Sequence, residues 1–148
     1  MKVSLHEYKQ EPMYPKIVNA VSQLLKDKNF VSPVELFSVL KLIDDKQIED
    51  WRFGRIPYFE KAIKCNLTKA SRILQIMRYH VQDLDMIPSV TVYKKLGKGP
   101  KTILRFSKTG EKNIEEAYSR HFLRNEKKSI PNENPENNEL GELKNDRT

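Results

Sequence analysis

Residues 66–106 read NLTKASRILQIMRYHVQDLDMIPSVTVYKKLGKGPKTILRF, and the way this stretch divides decides the fold. Its first half carries Ala70, Ile73, Leu74, Met77, Val81 and Leu84 at spacings of three and four, which is the period of a helix with one buried face. Asn66 or Thr68 can cap that helix, because either side chain accepts a bond from an orphan N–H of the first turn. Ser71, Arg72, Gln75, Tyr79 and Gln82 fall on the opposite face, with Lys69, Arg78 and His80 on the flanks. Asp83 and Asp85 sit where the helix dipole disfavours them, and Pro88 is read as the stop. The second half predicts a β-hairpin. Val90–Tyr93 and Thr102–Phe106 are β-branched and aromatic runs, separated by Gly97-Lys98-Gly99-Pro100. From Thr91 to Lys108 there are six basic residues (Lys94, Lys95, Lys98, Lys101, Arg105, Lys108) and no acidic one.

Charge is distributed unevenly. The 148 residues carry a net +7, but residues 125–148 hold six acids and four bases, so the remainder carries +9. A basic folded part points to an anionic partner. The single cysteine, Cys65, excludes an intramolecular disulfide and a cysteine-based zinc site. Met1–Ser4 lacks the apolar run of a signal peptide, and no window resembles a membrane span. The expectation is a cytoplasmic protein with no membrane partner.

Outward from the central stretch, residues 1–14 read as an arm and 15–123 as a single domain. Ile17, Ala20, Val21, Leu24 and Leu25 form a helical stripe. Ser32-Pro33-Val34-Glu35 is a helix start, with Ser32 as N-cap, Pro33 at the first position and Glu35 placed to close a capping box. That helix is expected to run through Phe37 and Leu40 to Ile43. Asp44 and Gln47 repeat the capping pattern ahead of Trp51. The run from Trp51 to Phe59 is dense in aromatics and predicts a packing corner. Asn113 and Glu116 suggest a third capping box for a short C-terminal helix with Ile114, Ala117, Tyr118, His121 and Phe122. Residues 124–148, rich in asparagine and without aromatics, are expected to be disordered. The fold expected is α+β and mostly helical: a helical bundle, then one β-hairpin, then a short helix.

Short helices, a longer helix and a hairpin with a basic, glycine-rich tip: this order resembles a winged helix-turn-helix domain. In that family the helix before the hairpin enters the DNA major groove and the hairpin, the wing, touches the backbone. The resemblance implies Lys69, Arg72, Gln75 and Tyr79 as groove candidates. It implies Lys94, Lys95, Lys98 and Lys101 as phosphate contacts, with Arg105 beside them. Arginine and glutamine suit base edges, and lysine suits phosphate as a point charge. A second resemblance is to small bacterial proteins of unknown function. It rests on Trp51-Arg52-x-Gly54-x-x-Pro57-Tyr58-x-Glu60, on Tyr93 through Gly97-Lys98-Gly99, and on Leu104-Arg105-Phe106-Ser107. It covers residues 45–123, implies a bacterial or phage setting, and brings no activity with it.

Each feature also has a plainer meaning. Lysines on a hairpin can be a solvated edge that blocks aggregation. The outer helix face can be ordinary solvent surface. Asp44, Asp45, Glu49 and Asp50 can hold a cation for phosphodiester cleavage, or can simply cap a helix and offset its dipole. The three histidines have no metal-ligand spacing, and Cys65 ahead of a helix cap is either activated or a buried structural thiol. Gly97-Lys98-Gly99 lies between strands, which is the wrong context for a nucleotide loop. The reading is therefore a non-catalytic nucleic-acid-binding protein, DNA before RNA, with no cofactor or metal. The alternative is a protein-interaction module using the Trp51–Phe59 corner or the helix face with Ile76 and Tyr79.

Overall fold

The helix at the centre of the chain, α4, runs Leu67–Asp83 in a computed structural model that describes residues 3–125. Asn66 is its cap: the side chain accepts from Lys69 N–H at 2.8 Å. The apolar stripe Ala70, Ile73, Leu74, Met77 and Val81 is buried as its period predicts, whereas Leu84 is exposed. Two residues not assigned to the core join it. Ile76 and His80 are buried, so the buried face is wider than one stripe, and Ile76 is not available to a partner. α4 stops well before Pro88. Asp85 takes a left-handed φ of +58°, and Met86 N–H turns back to the Val81 carbonyl. Aspartate is one of the few side chains that tolerates this conformation.

Before α4 come α1 (Tyr14–Asp27), β1 (Phe30–Val31), α2 (Pro33–Val39) and α3 (Asp45–Arg52), then a 3-10 turn at Phe59–Lys61. The capping signals hold. Ser32 Oγ accepts from Glu35 N–H at 3.2 Å, and Asp44 N–H donates to Gln47 Oε1 at 3.1 Å. Glu35 itself does not close a box; its carboxylate pairs with Lys28. α2 ends at Val39 rather than Ile43, with Lys41 at a φ of +65°.

After α4 the path departs from the predicted hairpin. β2 is Ile87–Val90, four residues that include Pro88. Its partner is β3, Arg120–Leu123, which the apolar spacing had placed in the last helix. β3 also pairs with β1, giving an antiparallel sheet in the order β1-β3-β2. β2 is therefore an edge strand, where a proline without an N–H is tolerated. α5, between the lobe described below and β3, is Lys112–Ser119. Asn113 and Glu116 do not cap it. Instead Glu115 in its first turn accepts from Phe106 N–H (2.9 Å), Ser107 N–H (2.8 Å) and Ser107 Oγ (2.7 Å), which ties the preceding segment down.

The result is α+β and mostly helical. Its core centres on Trp51, Phe59, Phe106, Tyr118 and Phe37, all fully buried. Phe106 and Tyr118 stack with ring centroids 5.1 Å apart, and Trp51 lies 4.9 Å from Phe106. Trp51 and Phe59 are thus interior and offer no surface to a partner, whereas Phe53 and Tyr58 of the same corner are half-buried. No helix among the described residues is long and apolar enough to cross a membrane. Most of the expected C-terminal tail, residues 126–148, lies outside the described residues.

Candidate nucleic-acid interface

Residues 91–108 form a lobe rather than a two-stranded ribbon. Lys94 and Ile103 make one isolated bridge, flanked by Lys95 N–H to Thr102 O and Leu104 N–H to Tyr93 O, both 2.8 Å. The ladder stops there because the lobe's backbone is engaged elsewhere. Leu96 N–H donates to Arg52 O (2.8 Å), and the Trp51 indole N–H donates to Arg105 O (2.8 Å). Phe59 and Glu60 donate their N–H groups to Arg105 O and Phe106 O at 3.1 and 2.8 Å. Gly97, at a φ of +92°, lies where an added Cβ would meet the Phe53 ring at 3.1 Å, so a side chain there would push the lobe off the corner. The tip is bolted onto α3.

Five of the six basic residues of the lobe are exposed: Lys94, Lys98, Lys101, Arg105 and Lys108. Lys95 is half-buried, its stem against Gly54. Lys101 Nζ bonds the Gly97 carbonyl. None of the six makes an ion pair among the described residues. The ion pairs form elsewhere: Lys46 and Arg55 with Asp50, Lys64 with Asp44, Lys28 with Glu35, Arg72 with Glu11 and Lys9 with Asp83. Among the described residues the lobe thus concentrates positive charge without an acidic partner.

The outer face of α4 is arranged differently. Lys69 is exposed, but Arg72 pairs with Glu11. Gln75 Oε1 accepts from Val3 N–H at 2.8 Å, and the Tyr79 hydroxyl donates to Val3 O at 3.2 Å. The Tyr79 ring tilts against Tyr8 at 5.4 Å, and Val3 and Tyr8 are themselves buried. The N-terminal arm therefore engages polar atoms of three of the four groove candidates, Arg72, Gln75 and Tyr79, which are half-buried.

A cleft of about 700 Å³ between α1, α2, α3, the start of the lobe and β3 was not legible as a site. The Arg52 guanidinium lies 5.2 Å from the centre of the Tyr93 ring. Burial pushes the Tyr93 phenol up to about 12, so it stays protonated, and its hydroxyl lies 2.9 Å from His121 Nε2, a hydrogen bond whose direction follows the imidazole tautomer. Burial lowers the His121 pKa, with Glu35 opposing more weakly, so the neutral imidazole is favoured. Arg52 Nε and Glu35 Oε1 are buried without hydrogen-bond partners among the described residues. Arg52 and Tyr93 stand in the two motifs quoted above, and that was the only sequence signal for them.

Three of the four acids of the cluster are engaged in local bonds, Asp44 to Lys64 (2.7 Å), Asp45 to Ser38 (2.8 Å) and Asp50 to Lys46 and Arg55 (2.8 and 2.9 Å), and Glu49 is exposed. Hydrogen bonds from Lys46, then Arg55, lower the Asp50 pKa, as expected of a carboxylate held in ion pairs. No group of three or more histidine, cysteine or acidic side chains suited to a metal occurs among the described residues. Burial pushes the Cys65 thiol up, opposite to what an activated cysteine needs. Searched against family models, curated proteins and solved structures, the chain matches none.

Proposed function

We propose that this protein binds nucleic acid through the phosphate backbone, with the lobe as a clamp and double-stranded DNA as the preferred ligand. The observation that carries the reading is the set of six lobe cations without an acidic partner among the described residues, held on a tip that is hydrogen-bonded to the aromatic corner. A pre-positioned clamp loses little freedom on binding, and lysine serves phosphate as a point charge. Lys69 extends the basic surface onto α4, and base readout by Arg72, Gln75 and Tyr79 competes with their bonds to the arm. The mode is therefore backbone-dominated, with weak sequence preference. Fluorescence anisotropy of a labelled random duplex, a single strand and an RNA hairpin at two salt concentrations tests it. Affinity for the duplex is expected to fall steeply with salt, by roughly 0.9 log units per phosphate contact for each tenfold rise in salt. Absence of binding to any of the three at low salt sinks the proposal.

A second reading, a protein-contact surface, draws on one observation. Val90, at the end of β2, is 64% exposed and β2 has an open edge, while Val92 and Ile103, 57% and 67% exposed, adjoin it on the lobe. An exposed apolar edge strand is a template for pairing with another chain. Concentration-dependent sedimentation of the protein alone, abolished by Val92→Lys, supports that reading; a monomer at all concentrations argues against self-pairing.

A further inference from the structure

On another side of α4 lies a groove of about 460 Å³ between α4 and α5. Leu74, Met77, Tyr118 and Phe122 are the buried part of its lining. Leu67, in the first turn of α4, also lines it and is exposed, so the apolar lining continues to the groove mouth. Two arginines border the same groove, Arg78 from α4 and Arg120 from β3. Neither makes an ion pair among the described residues, and Arg78 only rests its guanidinium 5.3 Å from the Tyr79 ring. The acidic groups of the lining are Glu116 and Glu60. Glu60 accepts from the Tyr118 hydroxyl at 2.7 Å, and burial raises its pKa, the direction that favours the uncharged acid.

We infer that this groove binds an amphipathic organic anion, its apolar body lying between α4 and α5 and its single oxyanion head on Arg78 and Arg120. The volume falls within the range of small-molecule sites, roughly 300–1,000 Å³, and such sites combine an apolar lining with a few polar groups that orient the ligand. Guanidinium forks match a carboxylate or phosphate oxygen pair. Glu116, in the same lining, disfavours a second negative charge, which selects a monoanion over a polyanion such as nucleic acid. The site is separate from the lobe, and its existence does not depend on what the lobe binds.

Isothermal titration of the full chain with decanoate, decyl sulfate, decanol and decylamine tests the inference. One-to-one uptake of either anion is expected, with the tighter of the two identifying the head group. Decanol should bind at least tenfold more weakly, and decylamine not at all. The double variant Arg78→Ala/Arg120→Ala should lose at least tenfold in anion affinity while its decanol affinity stays the same, which separates charge recognition from damage to the fold. Ser71→Trp, an exposed position on the groove wall, should weaken all ligands alike. The inference is overturned by no uptake of either anion, by equal affinity for anion and alcohol, by dimerisation without uptake, or by unchanged affinity in both variants.

Discussion

On the outer face of α4, Arg72 is paired with Glu11, and Gln75 and Tyr79 are bonded to the backbone of Val3. On the lobe, Lys94, Lys98, Lys101 and Lys108 have no acidic partner among the described residues, and the lobe's backbone, not its charged tips, binds it to the rest of the protein. Residue types alone made the two regions look like halves of one interface. The difference lies in which atoms the fold consumes. The arm uses the polar tips of α4 and leaves them little to offer, whereas the aromatic corner uses the carbonyls and amides of the lobe and leaves its charged groups to solvent. A surface meant to meet a polyanion needs the second arrangement.

The contrast makes the lobe depend on the core and the arm depend on the surface, and mutations can separate the two. Trp51→Ala removes a fully buried ring and the indole bond to Arg105 O. A stability loss of about 3–5 kcal/mol is expected in denaturant unfolding, with faster amide exchange through residues 94–106. A loss under about 1 kcal/mol would mean that the corner does not hold the lobe. Glu115→Ala leaves the Phe106 and Ser107 N–H groups without their acceptor, and a cost of roughly 1–3 kcal/mol follows. Gln75→Ala should cost only about 0.5–1.5 kcal/mol, because it removes a single bond to the arm. Exchange should rise at the Val3 amide and stay unchanged on the lobe. Equal effects on arm and lobe would erase the distinction between them.

The smallest expected effect is the pH dependence carried by His121. Burial lowers its folded pKa, so the folded state binds its proton less readily than the unfolded chain does. Its contribution is complete above the unfolded pKa of roughly 6.5 and is lost as pH falls from there through the folded value. His121→Asn should therefore narrow the gap in melting temperature to the parent as pH is lowered from about 7.5 to about 5.5, a window that brackets the unfolded value. A gap that widens on acidification would show the opposite sign. His80, whose pKa burial also lowers, contributes in the same direction in both proteins and drops out of the difference.

Elements with local signals were legible. α4 follows from its apolar period, and α2 and α3 from Ser32, Pro33, Asp44 and Gln47, because a cap and a stripe need only neighbours in the chain. β3 was not legible. Phe122 is buried in a strand just as it would be on the continuing helical stripe from Ile114, and the partners that decide for a strand, Ile87–Val90 and Phe30–Val31, are remote in sequence. Pro88 misled for a related reason: it reads as a helix stop but sits in an edge strand. Thr102–Phe106 has strand-forming residues, yet its carbonyls go to Trp51, Phe59 and Glu60. The lysine cluster itself was plain in the sequence. Whether each cation is neutralised was not, since Arg72 and Glu11, like Lys64 and Asp44, meet only in the folded chain. The same distance hid Arg52, Tyr93 and His121 as neighbours.

The central claim is that unpaired lobe cations, and not basic residues in general, meet the phosphate backbone. The most direct measurement compares two variants of equal charge change in duplex-binding titrations across salt: Lys94→Ala/Lys98→Ala/Lys101→Ala on the lobe, and Lys28→Ala/Lys46→Ala/Lys64→Ala among the paired lysines. The lobe variant should flatten the log–log salt slope by about 0.9 for each phosphate it no longer neutralises, up to roughly three units, with the control close to the parent. Equal flattening in both variants, or none in the lobe variant, would contradict it.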